Sequence, residues 1–407
     1  VQSKKTFKIA TLGCRTNQYE SQAYADQLRA LGYEEAGEGE EAELCIVNTC
    51  TVTESADSHS RHQIRSLMRH HPGARLVVTG CAAEHLPEEL RAGVRIVPNA
   101  QKEELLSVLF PDEELPEFAI RQFAAHTRAF VKVQDGCNAF CTYCIIPYVR
   151  GRSRSRPVAE IVREVEGLVA QGFKEVVLTG INIGDFEEGE KRLADLVRAV
   201  DQIAGLQRLR LSSIDPDEVD GPLMDAVLGG RTTCPSLHIV LQSGSDVILK
   251  RMNRKYTRQV FLETVRRLRE ARPAFTFTTD VIVGFPGESD DDFAETLDVM
   301  HSVRLAKVHM FPYSERKRTR AALYPNKVPF EVIQERKQAV LRASERIAFQ
   351  LRAEAIGTRA RVLVEGEEKG HTEHFLPVFV PGAQRNELID VELIDNTPDS
   401  LVGRRVH

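Results

Sequence analysis

Apolar runs alternate with amphipathic stretches along most of the chain. In the first third this unit recurs. The apolar run 8–12 ends at Gly13-Cys14, the run 44–49 ends at Cys50, and the run 76–79 ends at Gly80-Cys81. Helical periodicity follows over residues 19–31 and again over about 60–71. Strands alternating with helices predict a parallel sheet. Right-handed crossovers would bring the three strand ends to one edge, and such sheets bind ligands beyond the carboxyl ends of their strands. Cys14, Cys50 and Cys81 fall at that edge, although 36 and 31 residues separate them.

Residues 110–116, with two prolines and three acidic residues, read as a boundary. Beyond them a second alternation begins. Strands are expected over 129–134, 175–179, 208–212, 237–241, 275–283 and 307–311, with helices between them such as 158–171 and 258–272. About six β/α units make an incomplete barrel. A charged amphipathic helix over 330–356 closes this part. After Gly357 short β-rich runs at 359–365, 376–380 and 388–394 predict a small β-barrel. The expected organisation is an N-terminal parallel α/β domain (1–120), a central incomplete (β/α)6 barrel (121–356) and a C-terminal β-barrel (357–407).

Composition narrows the function classes. The net charge of −5 argues against nonspecific coating of nucleic acid, so RNA contact must come from local basic patches. No apolar run approaches the roughly 20 residues of a membrane span, and residues 1–7 lack a secretory apolar core. A cytoplasmic protein without a membrane or DNA partner is expected. Eight cysteines then read as ligands, catalysts or buried apolar residues before disulfides.

Three of them stand in Asp135-Gly136-Cys137-Asn138-Ala139-Phe140-Cys141-Thr142-Tyr143-Cys144, directly after the first barrel strand. Three thiolates spaced C-x3-C-x2-C can each take one iron of a 4Fe–4S cube and leave the fourth iron open. An open iron can chelate the amino and carboxylate groups of S-adenosylmethionine, whose reductive cleavage yields a 5′-deoxyadenosyl radical. A structural zinc wants a fourth ligand; the loop has none, and the nearest histidine, His126, precedes the strand.

The loop and barrel resemble the radical S-adenosylmethionine superfamily. Leu12-Gly13-Cys14, Asn48-Thr49-Cys50 and Thr79-Gly80-Cys81 resemble the N-terminal domain of its methylthiotransferases. So do the segments at 179–184, 241–245 and 280–288, and the tail is similar to the RNA-binding TRAM domain. Thr11-Leu12-Gly13-Cys14-Arg15-Thr16-Asn17-Gln18-Tyr19-Glu20-Ser21 is most similar to the branch acting on N6-threonylcarbamoyladenosine in tRNA. The sequence departs from the family at Arg318, where glycine is usual. The resemblance implies methylthiolation at C2 of adenosine 37, two 4Fe–4S clusters held by the two cysteine trios, and S-adenosylmethionine as methyl and radical source. It implies the tRNA anticodon stem-loop as partner and an electron donor such as flavodoxin or ferredoxin. Sister branches act on isopentenyladenosine in tRNA or on a ribosomal protein. A reading from another class is a noncatalytic, metal-containing RNA-binding protein.

Other residues keep two readings. Tyr143 either meets the cofactor's adenine or packs the loop. Asn182, Ser212, Gln242 and Ser243 follow barrel strands and are either cofactor contacts or turn residues. Asp280 is a ligand contact or a satisfied buried carboxylate. Arg150, Arg152, Arg154 and Arg156 form a basic stripe for RNA phosphates or a solvated face; Arg316, Lys317, Arg318 and Arg320 read similarly. Arg15, Asn17 and Gln18 could face a modified adenine, with a structural role equally open for Asn17. Cys45 and Cys234 read as structural.

Overall fold

The computed structural model describes residues 5–121 and 127–406; Val1 to Lys4, His126 and the C-terminal residue lie outside them. The chain opens with β1 (Thr6–Thr11), α1 (Arg15–Ala30), β2 (Leu44–Thr49), α2 (Glu54–His70) and β3 (Arg75–Gly80). β1 and β3 pair in parallel on either side of β2, and two-residue strands at Glu34–Glu35 and Arg95–Ile96 extend the sheet to five. Every residue of β2 is buried, as a central strand covered on both faces must be. α2 starts six residues earlier than its periodicity suggests. Thr53 caps it by accepting from Ala56 N at 3.1 Å, and Glu54 and Asp57 complement the helix dipole.

The second part holds β4 (Arg128–Lys132), α3 (Val158–Ala170), β5 (Glu175–Thr179), α4 (Leu193–Asp201), β6 (Arg208–Leu211) and α5 (Gly221–Gly229). It continues through β7 (Ser236–His238), α6 (Arg258–Ala271), β8 (Thr276–Val283), α7 (Asp290–Val303) and β9 (Lys307–Pro312) to the long α8 (Phe330–Ala353). β4–β5–β6 and β7–β8–β9 are parallel triplets. Parallel bridges Leu209–Thr233 and Ile214–Ile239 join them. The six strands thus form one incomplete barrel. α1 sends Tyr19 and Ala23 into the barrel's own core cluster, so the first two parts share apolar packing.

The tail is a closed barrel of β10 (Arg359–Val364), β11 (Lys369–Thr372), β12 (Pro377–Phe379), β13 (Leu388–Asn396) and β14 (Leu401–Arg405). It caps the amino-terminal end of the central barrel. Arg208 and Arg210, at the start of β6, donate to the carbonyls of His371, Arg361, Glu373 and Thr372. The Arg210 guanidinium stands 5.1 Å from the centroid of the tail's Phe375 ring, and that of Arg128 stands 5.4 Å from it.

Candidate active site

The parallel sheet delivers Cys14, Cys50 and Cys81 to one edge, and two glycines let them approach. Gly13 and Gly80 have φ of +89° and +88°, open to glycine without strain. A Cβ on Gly13 would stand 2.7 Å from Cys50 Sγ, and one on Gly80 would stand 2.5 Å from the Thr49 carbonyl. Asn17 is buried and crosslinks the strand ends, donating to Leu12 O at 2.6 Å and Thr49 O at 3.0 Å. Its role is therefore structural, which removes it from the substrate candidates. Cys50 is tied to α2 through Ser60, which accepts from Cys50 N and donates to Cys50 O.

Burial pushes the Cys50 thiol up to about 11, with Cys81 and Cys14 nearby adding to the shift. Burial also raises Cys81. In the loop after β4, burial pushes Cys137 to about 11 and Cys144 to about 12, and Cys141 contributes to both. Thiols crowded this way stay protonated until a metal takes the proton's place. Among the described residues no three His, Cys, Asp or Glu side chains converge as a single-ion site requires. The all-sulfur donor sets suit iron–sulfur chemistry. Cys45 and Cys234 are buried.

A guanidinium reaches each trio. Arg150 Nε donates to Cys81 Sγ at 3.2 Å, and Arg254 Nη1 donates to Cys141 Sγ at 2.9 Å. Arg150 also pairs with Glu20 at 3.2 Å and Asp135 at 2.8 Å, and its side chain is 0% exposed. It has no surface to offer RNA. Arg156 is likewise taken up, pairing with Glu164 at 2.7 Å and donating to Lys132 O and Tyr19 Oη. The expected basic stripe thus shrinks to Arg152 and Arg154, which are exposed; Arg152 lies 4.3 Å from the Phe140 ring centroid. Arg316 is also internal, donating to Thr51 at 2.7 Å and pairing with Asp57. Arg318 adopts a left-handed φ of +76° and meets His85 Nε2 at 3.2 Å.

The carboxyl end of the barrel carries unpaired polar atoms. Ser212 Oγ and Gln242 Oε1 are buried without a hydrogen-bond partner among the described residues, a state native chains reserve for ligands or water. Gln242 also holds a left-handed φ of +61°. Ser243 differs: it is 0% exposed and its hydroxyl meets Thr296 and Ser245 N, so its side chain serves the turn. Asn182 donates to Glu218 Oε1 at 2.8 Å. Burial and the neighbouring Asp215 push Glu218 up to about 7. Asp280 lies 3.3 Å from His238 Nε2. Tyr143 packs against Ile248, Met252, Ile282 and Phe285 under the loop. Sequence reasoning missed Glu218, whose partner Asn182 is 36 positions away, and the roles of Arg254 and Arg150, whose sulfur partners are 113 and 69 positions away. Arg15 stands exposed beside Cys14 with its guanidinium 5.3 Å from the Phe130 centroid on β4.

Residues 131–300 match the radical SAM superfamily and residues 6–98 the uncharacterized protein family UPF0004. The chain is 49% identical to the threonylcarbamoyladenosine tRNA methylthiotransferase MtaB of Chlamydia pneumoniae, covering 99% of both chains. It is 34% identical to the Bacillus subtilis protein of the same name, over 93% of this chain and 91% of that one. A tRNA-2-methylthio-N(6)-dimethylallyladenosine synthase of Caldicellulosiruptor saccharolyticus is 36% identical over 99% of this chain and 90% of that one. Among solved structures, the fold is similar to the radical S-adenosylmethionine methyltransferase TsrM of Kitasatospora setae. The TM-score is 0.58 at 16% identity, covering 76% of this chain and 75% of that one.

Proposed function

The chain belongs to the radical S-adenosylmethionine tRNA methylthiotransferases, and from that premise we propose that it converts N6-threonylcarbamoyladenosine at position 37 of tRNA to its 2-methylthio derivative. The observation that carries the reading is the pair of thiol trios, one at the sheet edge and one above β4, with Arg150 from the segment after the second trio contacting Cys81 of the first. Cys14, Cys50 and Cys81 would hold one 4Fe–4S cluster, and Cys137, Cys141 and Cys144 the other. Bound there, the clusters and S-adenosylmethionine supply reductive cleavage, hydrogen abstraction at C2 and the transferred sulfur. The protein positions them.

This chain's residues divide the remaining work. Ser212 and Gln242 offer their unpaired oxygens to the cofactor, and Asn182 and Asp280 line the same carboxyl end. Glu218, raised to about 7 by burial and Asp215, is about half protonated near neutral pH, and its protonated form can donate a hydrogen bond to a ligand oxygen. Arg15 supports the substrate assignment. The threonylcarbamoyl group carries a carboxylate, and a guanidinium is its natural partner; an isopentenyl group would leave that charge unpaired. Arg152 and Arg154 are exposed close after the cysteine loop, Arg152 over the loop's Phe140 ring, and would meet phosphate. The tail carries more acidic than basic residues, so its RNA-binding role rests on its resemblance to TRAM domains and not on charge.

A side-by-side assay tests the substrate. Purified, cluster-loaded protein should methylthiolate tRNA bearing threonylcarbamoyladenosine and act poorly on tRNA bearing isopentenyladenosine. Preference for the isopentenyl RNA would overturn the branch assignment and leave the reaction class standing.

A further inference from the structure

The two trios share a feature that their cysteine spacing does not contain. Each has one buried arginine whose guanidinium donates to a sulfur, at 3.2 Å for Arg150 on Cys81 and 2.9 Å for Arg254 on Cys141. Each arginine is fixed by carboxylates from behind. Glu20 and Asp135 hold Arg150, and Asp215 holds Arg254. Side-chain exposure is 0% and 6%, so water cannot replace either donor. Arg254 is braced further by the Tyr256 ring, 4.8 Å away. The planar fork of arginine allows one side chain to face a sulfur and a carboxylate together.

Their origins differ. Arg254 comes from the same barrel as Cys141. Arg150 comes from the segment after the barrel's cysteine loop, yet it contacts Cys81 of the N-terminal sheet, 69 residues earlier in sequence. The N-terminal trio is therefore completed across the interface between the two parts.

We propose that Arg150 and Arg254 are matched positioning residues, each donating to one ligand sulfur and raising the reduction potential of the cluster its trio holds. The proposal rests on the two-cluster reading above. A cluster gains one negative charge when it takes up an electron. Hydrogen bonds to its sulfurs and a nearby fixed cation stabilise that added charge and shift the couple to higher potential.

The test uses the full chain in two backgrounds. Cys137, Cys141 and Cys144 changed to Ala isolate the N-terminal cluster; Cys14, Cys50 and Cys81 changed to Ala isolate the barrel cluster. Arg150→Met and Arg150→Lys enter the first background, Arg254→Met and Arg254→Lys the second. Iron per chain, circular dichroism and an EPR-monitored dithionite titration are read for each. The Met variants should shift the midpoint of their own cluster to more negative potential. The Lys variants should shift it less, because they keep the charge. Arg150→Met placed in the second background should leave the barrel cluster's midpoint where it was. An unchanged midpoint in a cluster-loaded Met variant would overturn the proposal. Loss of the cluster from both Met and Lys variants of a folded chain would assign the arginine to assembly and overturn the tuning role. A folded parent that holds no iron would overturn the two-cluster reading, and this inference with it.

Discussion

Gly13 and Cys50 stand so close that a methyl group on the glycine would lie 2.7 Å from the cysteine sulfur. This approach joins the end of β1 to the end of β2, and it decides whether the N-terminal trio can assemble.

Gly13→Ala should therefore lose the N-terminal cluster. The substitution meets both the clash with Cys50 and a φ of +89° that alanine resists. Iron content should fall from about eight to about four atoms per chain, the difference of one cube. Reductive cleavage of S-adenosylmethionine by the barrel should persist, while methylthiolation is lost. Iron analysis beside a cleavage assay checks this; retention of both cubes would show that the edge can relax.

Glu218 makes stability depend on pH. Its folded value, about 7, lies above the 4.5 of the exposed group because burial and Asp215 disfavour the charge. The folded chain then binds more protons than the unfolded chain between those values. Stability should fall as pH rises from about 4.5 and level off above about 7. Glu218→Gln should remove that component, matching the parent near pH 4.5 and exceeding it at pH 8 by about 3 kcal/mol. Denaturant melts of the metal-free chain at both pH values measure the difference.

Arg152 and Arg154 should account for the phosphate contacts near the cysteine loop. Changing both to Gln should weaken tRNA binding and flatten its dependence on salt, by about one unit of slope for each phosphate no longer neutralised. Arg156→Gln should instead lower stability, because buried Glu164 loses its cationic partner and keeps only the hydrogen bonds from Tyr19 Oη and Ile120 N. A salt series of binding constants beside a thermal melt separates the two effects.

Arg15→Met should cost the threonylcarbamoyl substrate about 10- to 100-fold in kcat/KM, the worth of a hydrogen bond to a charged group. The poor activity toward isopentenyladenosine RNA should stay level. Iron content, measured on the same preparation, shows whether the neighbouring Cys14 was disturbed.

Arg318→Gly should raise stability by up to about 1 kcal/mol, because a left-handed φ strains every residue with a Cβ. The turn that the sequence departs from with arginine keeps its glycine-like shape. A lower melting temperature would mean that the hydrogen bond with His85 outweighs the strain.

Sequence pattern located the strand ends well, because each apolar run stops at its cysteine. It placed the start of α1 at Tyr19, whereas the helix begins at Arg15 with Cys14 as its cap. The polar run Arg15-Thr16-Asn17-Gln18 looks like a loop, yet Thr16 and Asn17 are buried by the crosslinked strand edge. β11 and β14 escaped notice for a related reason: Lys369-Gly370-His371-Thr372 and Leu401-Val402-Gly403-Arg404-Arg405 show no sustained apolar alternation. The arginines after the cysteine loop read as one surface stripe because their partners are distant. Glu20 lies 130 positions from Arg150. Local charge spacing cannot tell a phosphate ligand from half of a buried pair.

The tail's grip on the first residues of β6 and β8 sets a length. Arg208 and Thr276 anchor it at the barrel's amino end, through His371 and His374 carbonyls, while the cysteine loop crowns the opposite end. β8, with 8 residues, spans ~26 Å. On the reading proposed above, an anticodon arm touching both ends would lie along the barrel's flank, its stem beside the tail and its loop at the crown. The molecule would then act as a calliper, selecting the base to be modified by how far it stands from the point of grip as well as by what it is.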